Sequence, residues 1–197
     1  MKKQAIVSHG GDTFNTYERY INFLRSFPAT KEYFRPRKDW KSFLPENLGA
    51  GWDVLCPVMP NKTNARFAEW KIWFEKIFPF IEGEVTLIGH SLGAMFLAKY
   101  LAENDFPKKI TGLFLVAAPH SQSGEVGDFA LPTSLDRVSR QAARIFLFYS
   151  KDDTIVPFAE SESYKKQLPN AELIAFEDRG HFSQLEFPEI VGRIKGL

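Results

Sequence analysis

The run Val85-Thr86-Leu87-Ile88-Gly89-His90-Ser91-Leu92-Gly93-Ala94-Met95 decides the fold. An apolar, β-branched lead enters Gly89-His90-Ser91-Leu92-Gly93. A stretch without proline then carries Met95, Phe96, Tyr100 and Leu101 on to Asn104. That is the pattern of a buried strand, a tight turn and a helix. Glycines at 89 and 93 are required if side chains there would strike the adjoining strand or helix. Such a turn holds Ser91 in strained backbone geometry with its Oγ exposed. It also sets Ser91 at a helix N-terminus, where unpaired N–H groups stabilise an oxyanion. At roughly 7% abundance each, three fixed residues arise by chance in roughly one chain of this length in fifteen. The strand–turn–helix context carries more weight than the motif.

Outward from this turn, further apolar runs recur at Ala5–Ser8, Val54–Met59, Gly112–Ala117, Ile145–Tyr149 and Leu173–Phe176. Most are apolar throughout, as strands covered on both faces are. Between them lie helical patterns. Thr63–Phe78 places Phe67, Trp70, Trp73, Phe74 and Ile77 at steps of three and four, and both tryptophans are expected in the core. Ser134–Ala142, Ala159–Leu168 and Gln184–Lys195 are shorter candidates. The alternation predicts an α/β chain: a three-layer sandwich around a mainly parallel sheet of about six strands. One domain over 1–197 is expected, with 26–51 a surface insertion or small lid, because Pro28, Pro36 and Pro45 interrupt it.

A serine hydroxyl is a poor nucleophile near neutral pH and needs a base, itself oriented by an acid. After a turn of this type the chain order is serine, acid, histidine. Downstream, Ile145–Tyr149 ends in Ser150-Lys151-Asp152-Asp153, and Leu173–Phe176 is followed by Glu177-Asp178-Arg179-Gly180-His181-Phe182. Each group sits just past a strand, where open α/β sheets gather their functional groups. The first strand ends Ser8-His9-Gly10-Gly11-Asp12, whose glycines leave an N–H free as an oxyanion donor beside that of Leu92; Gly11 is the choice. His9, Asp12 and His120 are candidates to line the site. His9 reads chiefly as a hydrogen-bonding shaper of its loop, His90 as packing and Asp178 as solvated. The plain alternatives are a helix-capping serine for Ser91 and a core or surface histidine for His181; the second is the favoured reading of His181 taken alone, and the order of the three argues against it.

Composition excludes several classes. The 197 residues carry 25 Lys+Arg against 24 Asp+Glu, a net of +1, which argues against general nucleic-acid binding. Aromatic content of 15% argues against disorder. Cys56 stands alone, so no internal disulfide forms; it reads as a small hydrophobe in a buried strand, and the chain fits a reducing compartment. Only Ala5-Ile6-Val7 follow the basic start before polar residues, too short for a secretory segment, and no run is long enough to span a bilayer. A cytoplasmic location is expected. Four scattered histidines offer no metal-ligand spacing. The basic stretch Lys31–Lys41 reads as a solvated face, with a lid or a docking patch for anionic substrates or a membrane surface as the alternative.

The nucleophile turn, the Asp152-Asp153 loop with Pro157, and Gly180-His181-Phe182 resemble the α/β-hydrolase superfamily. Together with Met59-Pro60, Thr63-Asn64-Ala65-Arg66 and Trp73, they resemble its small capless serine hydrolases related to retinoblastoma-binding protein 9 and YdeN. The resemblance implies a serine hydrolase acting on esters or small acyl groups through an acyl-enzyme, without a metal or organic cofactor. By position it makes Ser91 the nucleophile, His181 the base and Asp153 the acid. Asp153 is preferred over Asp152 because it stands four residues before Pro157. The sequence departs from L-x-C-x-E at Val54, so a retinoblastoma-type partner is not implied, and protein partners stay undefined. With little chain between Pro119 and Arg144 for a cap, an open site is expected. An amidase or aminopeptidase-like activity on the same machinery, or a weakly active scaffold, are the alternatives; a fold does not by itself specify activity.

Overall fold

The computed structural model describes residues 2–120 and 125–197. Six strands form one sheet: β1 (Lys3–Ser8), β2 (Trp52–Leu55), β3 (Val85–His90), β4 (Ile110–Val116), β5 (Ile145–Ser150) and β6 (Glu172–Phe176). Every pairing is parallel, in the order β2-β1-β3-β4-β5-β6. Among the described residues seven α-helices accompany them: α1 (Tyr17–Ser26), α2 (Trp40–Leu48), α3 (Phe67–Glu75), α4 (Leu92–Glu103), α5 (Asp136–Gln141), α6 (Glu160–Gln167) and α7 (Pro188–Lys195).

Why the central strands read as unbroken apolar runs is visible in their two faces. Ile6, Leu87, Leu113, Leu115 and Leu147 point into one core layer, which they share with Trp70, Phe74, Met95, Phe96, Val138 and Tyr164 of α3 to α6. Their neighbours Val7, Ile88, Phe114, Val116 and Phe146 point into the other, against Trp40, Leu44 and Leu48 of α2 and Ile190 and Ile194 of α7. Side chains alternate faces along a strand, so covering both faces makes every position apolar. The result is the expected three-layer α/β-hydrolase sandwich, with no large cap among the described residues.

Four expectations need correction. The second strand is Trp52–Leu55 rather than Val54–Met59, and all four of its residues are only half-buried because β2 is a sheet edge. Cys56 therefore lies past the strand end and is exposed. Trp73 is 49% exposed while Trp70 is fully buried, because only one face of α3 meets α4. Residues 26–51 are not a surface insertion throughout. From Trp40 on they form α2, whose buried Trp40, Leu44 and Leu48 build one layer of the core, even though Pro45 lies inside the helix.

The topology fixes where chemistry can gather. β1 is followed in space by β2 on one side and β3 on the other, so the chain reverses direction across the sheet between β1 and β3. Crevices in open parallel sheets form at such a reversal, beyond the carboxyl ends of the strands. Gly10 and Ser91 lie just past the carboxyl ends of the two strands that flank it.

Candidate active site

Ser91 joins β3 to α4 with φ +54° and ψ −128°, a conformation ordinary side chains avoid. Its N–H donates to Val116 O at 2.8 Å, which ties the turn to β4. A Cβ at residue 89 would stand 2.4 Å from Ala94 Cα, and one at residue 93 would stand 2.3 Å from Ser8 O and 2.4 Å from His9 O. Both glycines are thus demanded by close backbone approach, as the sequence predicted. A Cβ at Gly10 would lie 3.0 Å from Ser91 Cβ and 3.5 Å from its Oγ, so the bare backbone of the β1 loop faces the serine directly.

That loop is laced to the segment after β2. Asp12 N–H donates to Lys62 O and Ala65 N–H to Asp12 O, each at 2.8 Å. Thr13 Oγ1 donates to Ala65 O at 3.0 Å, and Arg66 Nη1 to Phe14 O at 2.9 Å. His9 Nε2 accepts from Met59 N–H at 2.8 Å, leaving Nδ1 to carry the proton toward Gly10 O at 2.6 Å. Burial lowers the His9 pKa, which keeps the ring in this neutral tautomer. His9 therefore shapes the loop and does not line the cleft. Among the described residues neither Gly11 N–H nor Leu92 N–H has a protein acceptor.

His181 Nδ1 donates to Asp153 Oδ2 at 2.8 Å. The other carboxyl oxygen of Asp153 accepts from Ile155 N–H at 2.8 Å and Val156 N–H at 3.0 Å. Burial alone would raise the Asp153 pKa; the His181 and backbone hydrogen bonds outweigh it and hold the carboxyl below its ordinary value. Asp152 does different work. Its Oδ1 accepts from Ser150 Oγ at 2.5 Å and from Gly180 N–H at 2.8 Å, while Ser150 Oγ accepts from Arg179 N–H at 2.8 Å.

The segment carrying His181 is held from its other side as well. His90 Nε2 donates to His181 O at 2.9 Å, and Trp40 Nε1 donates to Phe182 O at 3.0 Å. Lys41 Nζ, paired with Asp39 at 2.6 Å, donates to His90 Nδ1 at 3.3 Å. Sequence reasoning assigned no role to Trp40, placed Lys41 in a solvated basic face where the structure instead tucks it between Asp39 and His90, and treated Asp152 only as a rival acid. The Asp39 cap before Trp40-Lys41 was the available signal for this helix.

Beside Ser91 opens a cleft of about 500 Å³. Gly11, Asp12, Leu92 and Pro119 line its base, and Ile155 and Val156 one wall. Tyr149 and Tyr164 hydroxyls fix the carbonyls of Ala118 and Pro119 at 2.7 and 3.0 Å. Desolvation raises the pKa of Asp12, one of the residues that line this cleft. The opposite wall is α1, through Arg19, Asn22 and Phe23, with Arg19 ion-paired to Glu125. No residue of 26–51 lines the cleft. His120 does not line it either; it packs edge-on against Tyr164, and its Nε2 meets Gln167 Nε2 at 3.1 Å.

Comparison with known proteins gives a consistent picture. A family model described as serine hydrolase matches residues 35–186, so β1 and α1 precede the matched span. The chain is 30% identical over 158 residues to the serine hydrolase RBBP9 of Rattus norvegicus, covering 75% of this chain and 78% of that one. The crystal structure of the ydeN gene product of Bacillus subtilis superposes with a TM-score of 0.76 at 20% identity, covering 99% and 98% of the two chains. Est1E of Butyrivibrio proteoclasticus with bound ferulic acid superposes with a TM-score of 0.62 at 15% identity, covering 98% and 87%.

Proposed function

Because this chain belongs to the serine hydrolase family, we propose that it cleaves carboxylic esters or small acyl substrates through Ser91, His181 and Asp153. The observation that carries the reading is the 2.8 Å contact from His181 Nδ1 to an Asp153 whose second oxygen is already capped by two N–H groups. A carboxylate held ionised accepts only, so the imidazole proton resides on Nδ1 and the lone pair on Nε2. Nε2 takes the Ser91 proton as Oγ attacks the acyl carbon. Asp153 stabilises the imidazolium that forms, without itself taking the proton. The free N–H groups of Leu92 and Gly11 receive the oxyanion. His181 returns the proton to the leaving alcohol, then activates the water that releases the acyl group from Ser91.

An ester reading suits a cleft whose walls are Phe23, Ile155 and Val156, which favour an apolar acyl group of modest size. The test is hydrolysis of p-nitrophenyl acetate together with labelling by a fluorophosphonate probe. Parent protein labels and turns over, and Ser91→Ala does neither. Turnover by Ser91→Ala at the parent rate would refute the assignment, and failure of the parent to label would favour a scaffold role.

A further inference from the structure

Residues 17–38 pose a physical problem. α1 buries none of its residues, and neither does any position from Phe27 to Lys38. Yet this stretch holds Tyr17, Ile21, Leu24, Phe27, Tyr33 and Phe34. Tyr20 and Phe23 turn inward onto Phe14, with ring centroids 5.5 and 5.1 Å apart. Tyr17, Leu24, Tyr33 and Phe34 face out, at 68%, 48%, 45% and 76% exposure. Exposed aromatic and aliphatic side chains gathered on one segment mark a surface that something covers.

Charge says what. Arg19, Arg25, Lys31, Arg35, Arg37 and Lys38 against Glu18 and Glu32 give +4 over 17–38, so the rest of a chain whose net is +1 carries −3. Arg19 is paired with Glu125 and Arg35 lies 3.8 Å from Glu32, but among the described residues Arg37 and Lys38 meet the rings of Tyr33 and Phe43, at 5.3 and 5.7 Å, and no carboxylate. A helix presenting Tyr17 and Leu24 beside Arg25, followed by a short 3-10 turn over Lys31–Phe34 and the cations Arg35, Arg37 and Lys38, has the composition that seats in the headgroup layer of an anionic bilayer. A second copy docking through the same face would set +4 against +4. No helix among the described residues is long and apolar enough to cross a membrane, so the contact is peripheral.

We propose that residues 17–38 dock this protein on anionic lipid surfaces, through Tyr17, Leu24, Tyr33 and Phe34 inserted among the headgroups and Arg25, Lys31, Arg37 and Lys38 set against them. The other side of α1 is the wall of the cleft, through Asn22 and Phe23. Docking therefore leaves only α1 between the cleft and the membrane and, resting on the hydrolase reading, places the cleft near acyl substrates dissolved in the bilayer.

Sedimentation with vesicles tests the docking independently of chemistry. At low ionic strength the parent and Ser91→Ala both sediment with phosphatidylcholine vesicles containing phosphatidylserine, and neither does with pure phosphatidylcholine. Each cation neutralised costs about fivefold in partitioning, so Lys31→Gln/Arg37→Gln/Lys38→Gln loses about a hundredfold. Half-molar salt weakens the parent in the same sense. Leu24→Ser/Phe34→Ser, which leaves the cations in place, also loses binding, by about tenfold. Both variants hydrolyse p-nitrophenyl acetate at the parent rate but lag on a long-chain ester carried in the anionic vesicles. The proposal is overturned if the parent fails to sediment at low salt, or binds neutral and anionic vesicles alike. It is equally overturned if the parent prefers an oligonucleotide, or forms a dimer that Phe34→Ser abolishes. Absent turnover of every ester would sink the hydrolase reading and leave the sedimentation result to decide docking.

Discussion

Ser91 occupies a backbone conformation that costs a side-chain-bearing residue on the order of 1–3 kcal/mol, and the surrounding backbone enforces it. Gly89 and Gly93 let α4 and the β1 carboxyl end close to within reach of a missing Cβ, and Ser91 N–H is committed to Val116 O. Strain of this kind has a signature distinct from catalysis. Ser91→Ala keeps the Cβ and should leave the unfolding midpoint near that of the parent. Ser91→Gly should be more stable than Ser91→Ala by about 1 kcal/mol, because glycine adopts this φ freely. Both should lose turnover by several orders of magnitude if Ser91 is the nucleophile. Equal denaturant midpoints for the two variants would show that the turn is unstrained. The residues of this turn were legible in the sequence because glycine and serine at those spacings have one shared steric cause. The orphan N–H groups of Gly11 and Leu92 were legible only as a guess, since nothing in a sequence says which donors other segments will satisfy.

Among the elements, the loop after β6 depends most on partners far away in the chain. Gly180 and Phe182 both have positive φ, +51° each, and a segment bent twice in this way needs anchors. It has them in Asp152 and Ser150 on one side and in His90 and Trp40 on the other. Under the proposed triad the two neighbouring carboxylates separate by role. Asp153→Asn should lower kcat by about ten-thousandfold, because the amide no longer selects the Nδ1–H tautomer. Asp152→Ala should lower kcat/KM by only about tenfold to a hundredfold, through displacement of His181. The reverse ranking in steady-state kinetics would exchange the two assignments. Trp40→Phe keeps the ring packing against Phe187 while removing the donor to Phe182 O, and should cost about 1 kcal/mol in urea unfolding. An unchanged midpoint would mean that this anchor is idle. These supports were not legible. Three prolines argued against structure in 26–51, yet Asp39 caps Lys41 N–H at 3.0 Å and α2 tolerates Pro45 because its buried face pins it. Tertiary packing overrode local propensity there, as it did in reverse at β2, where the edge position shortened an apolar run into four residues.

For the molecule as a whole, the sheet was the most legible feature: its central strands are covered on both faces and so contain almost nothing but apolar residues. What the sequence concealed was how much polar material the fold keeps uncharged. His90 is packed behind His181 and between Lys41 and the sheet, and burial first, then the Lys41 charge, pushes its pKa well below the ordinary imidazole value. Burial lowers His9 and His120 as well. The consequence for stability has a definite sign. An unfolded chain protonates these rings as pH falls below about 6.5, whereas the folded chain does so only at lower pH, with His90 the furthest depressed. The unfolded state therefore binds more protons in that window, and stability is full above about pH 6.5 and declines as the solution is acidified. His90 alone should contribute a slope of about 1.4 kcal/mol per pH unit, extending downward until its own depressed pKa is reached. Urea unfolding at pH 7.5, 6.5, 5.5 and 5.0 should show this decline, and His90→Gln, which cannot titrate, should flatten it by about that amount whatever its stability at pH 7.5. A parent profile level from pH 7.5 to 5.0, or a His90→Gln profile parallel to the parent, would mean that His90 is protonated in place. The Lys41–His90–His181 arrangement would then have to be redrawn with a cation behind the candidate base.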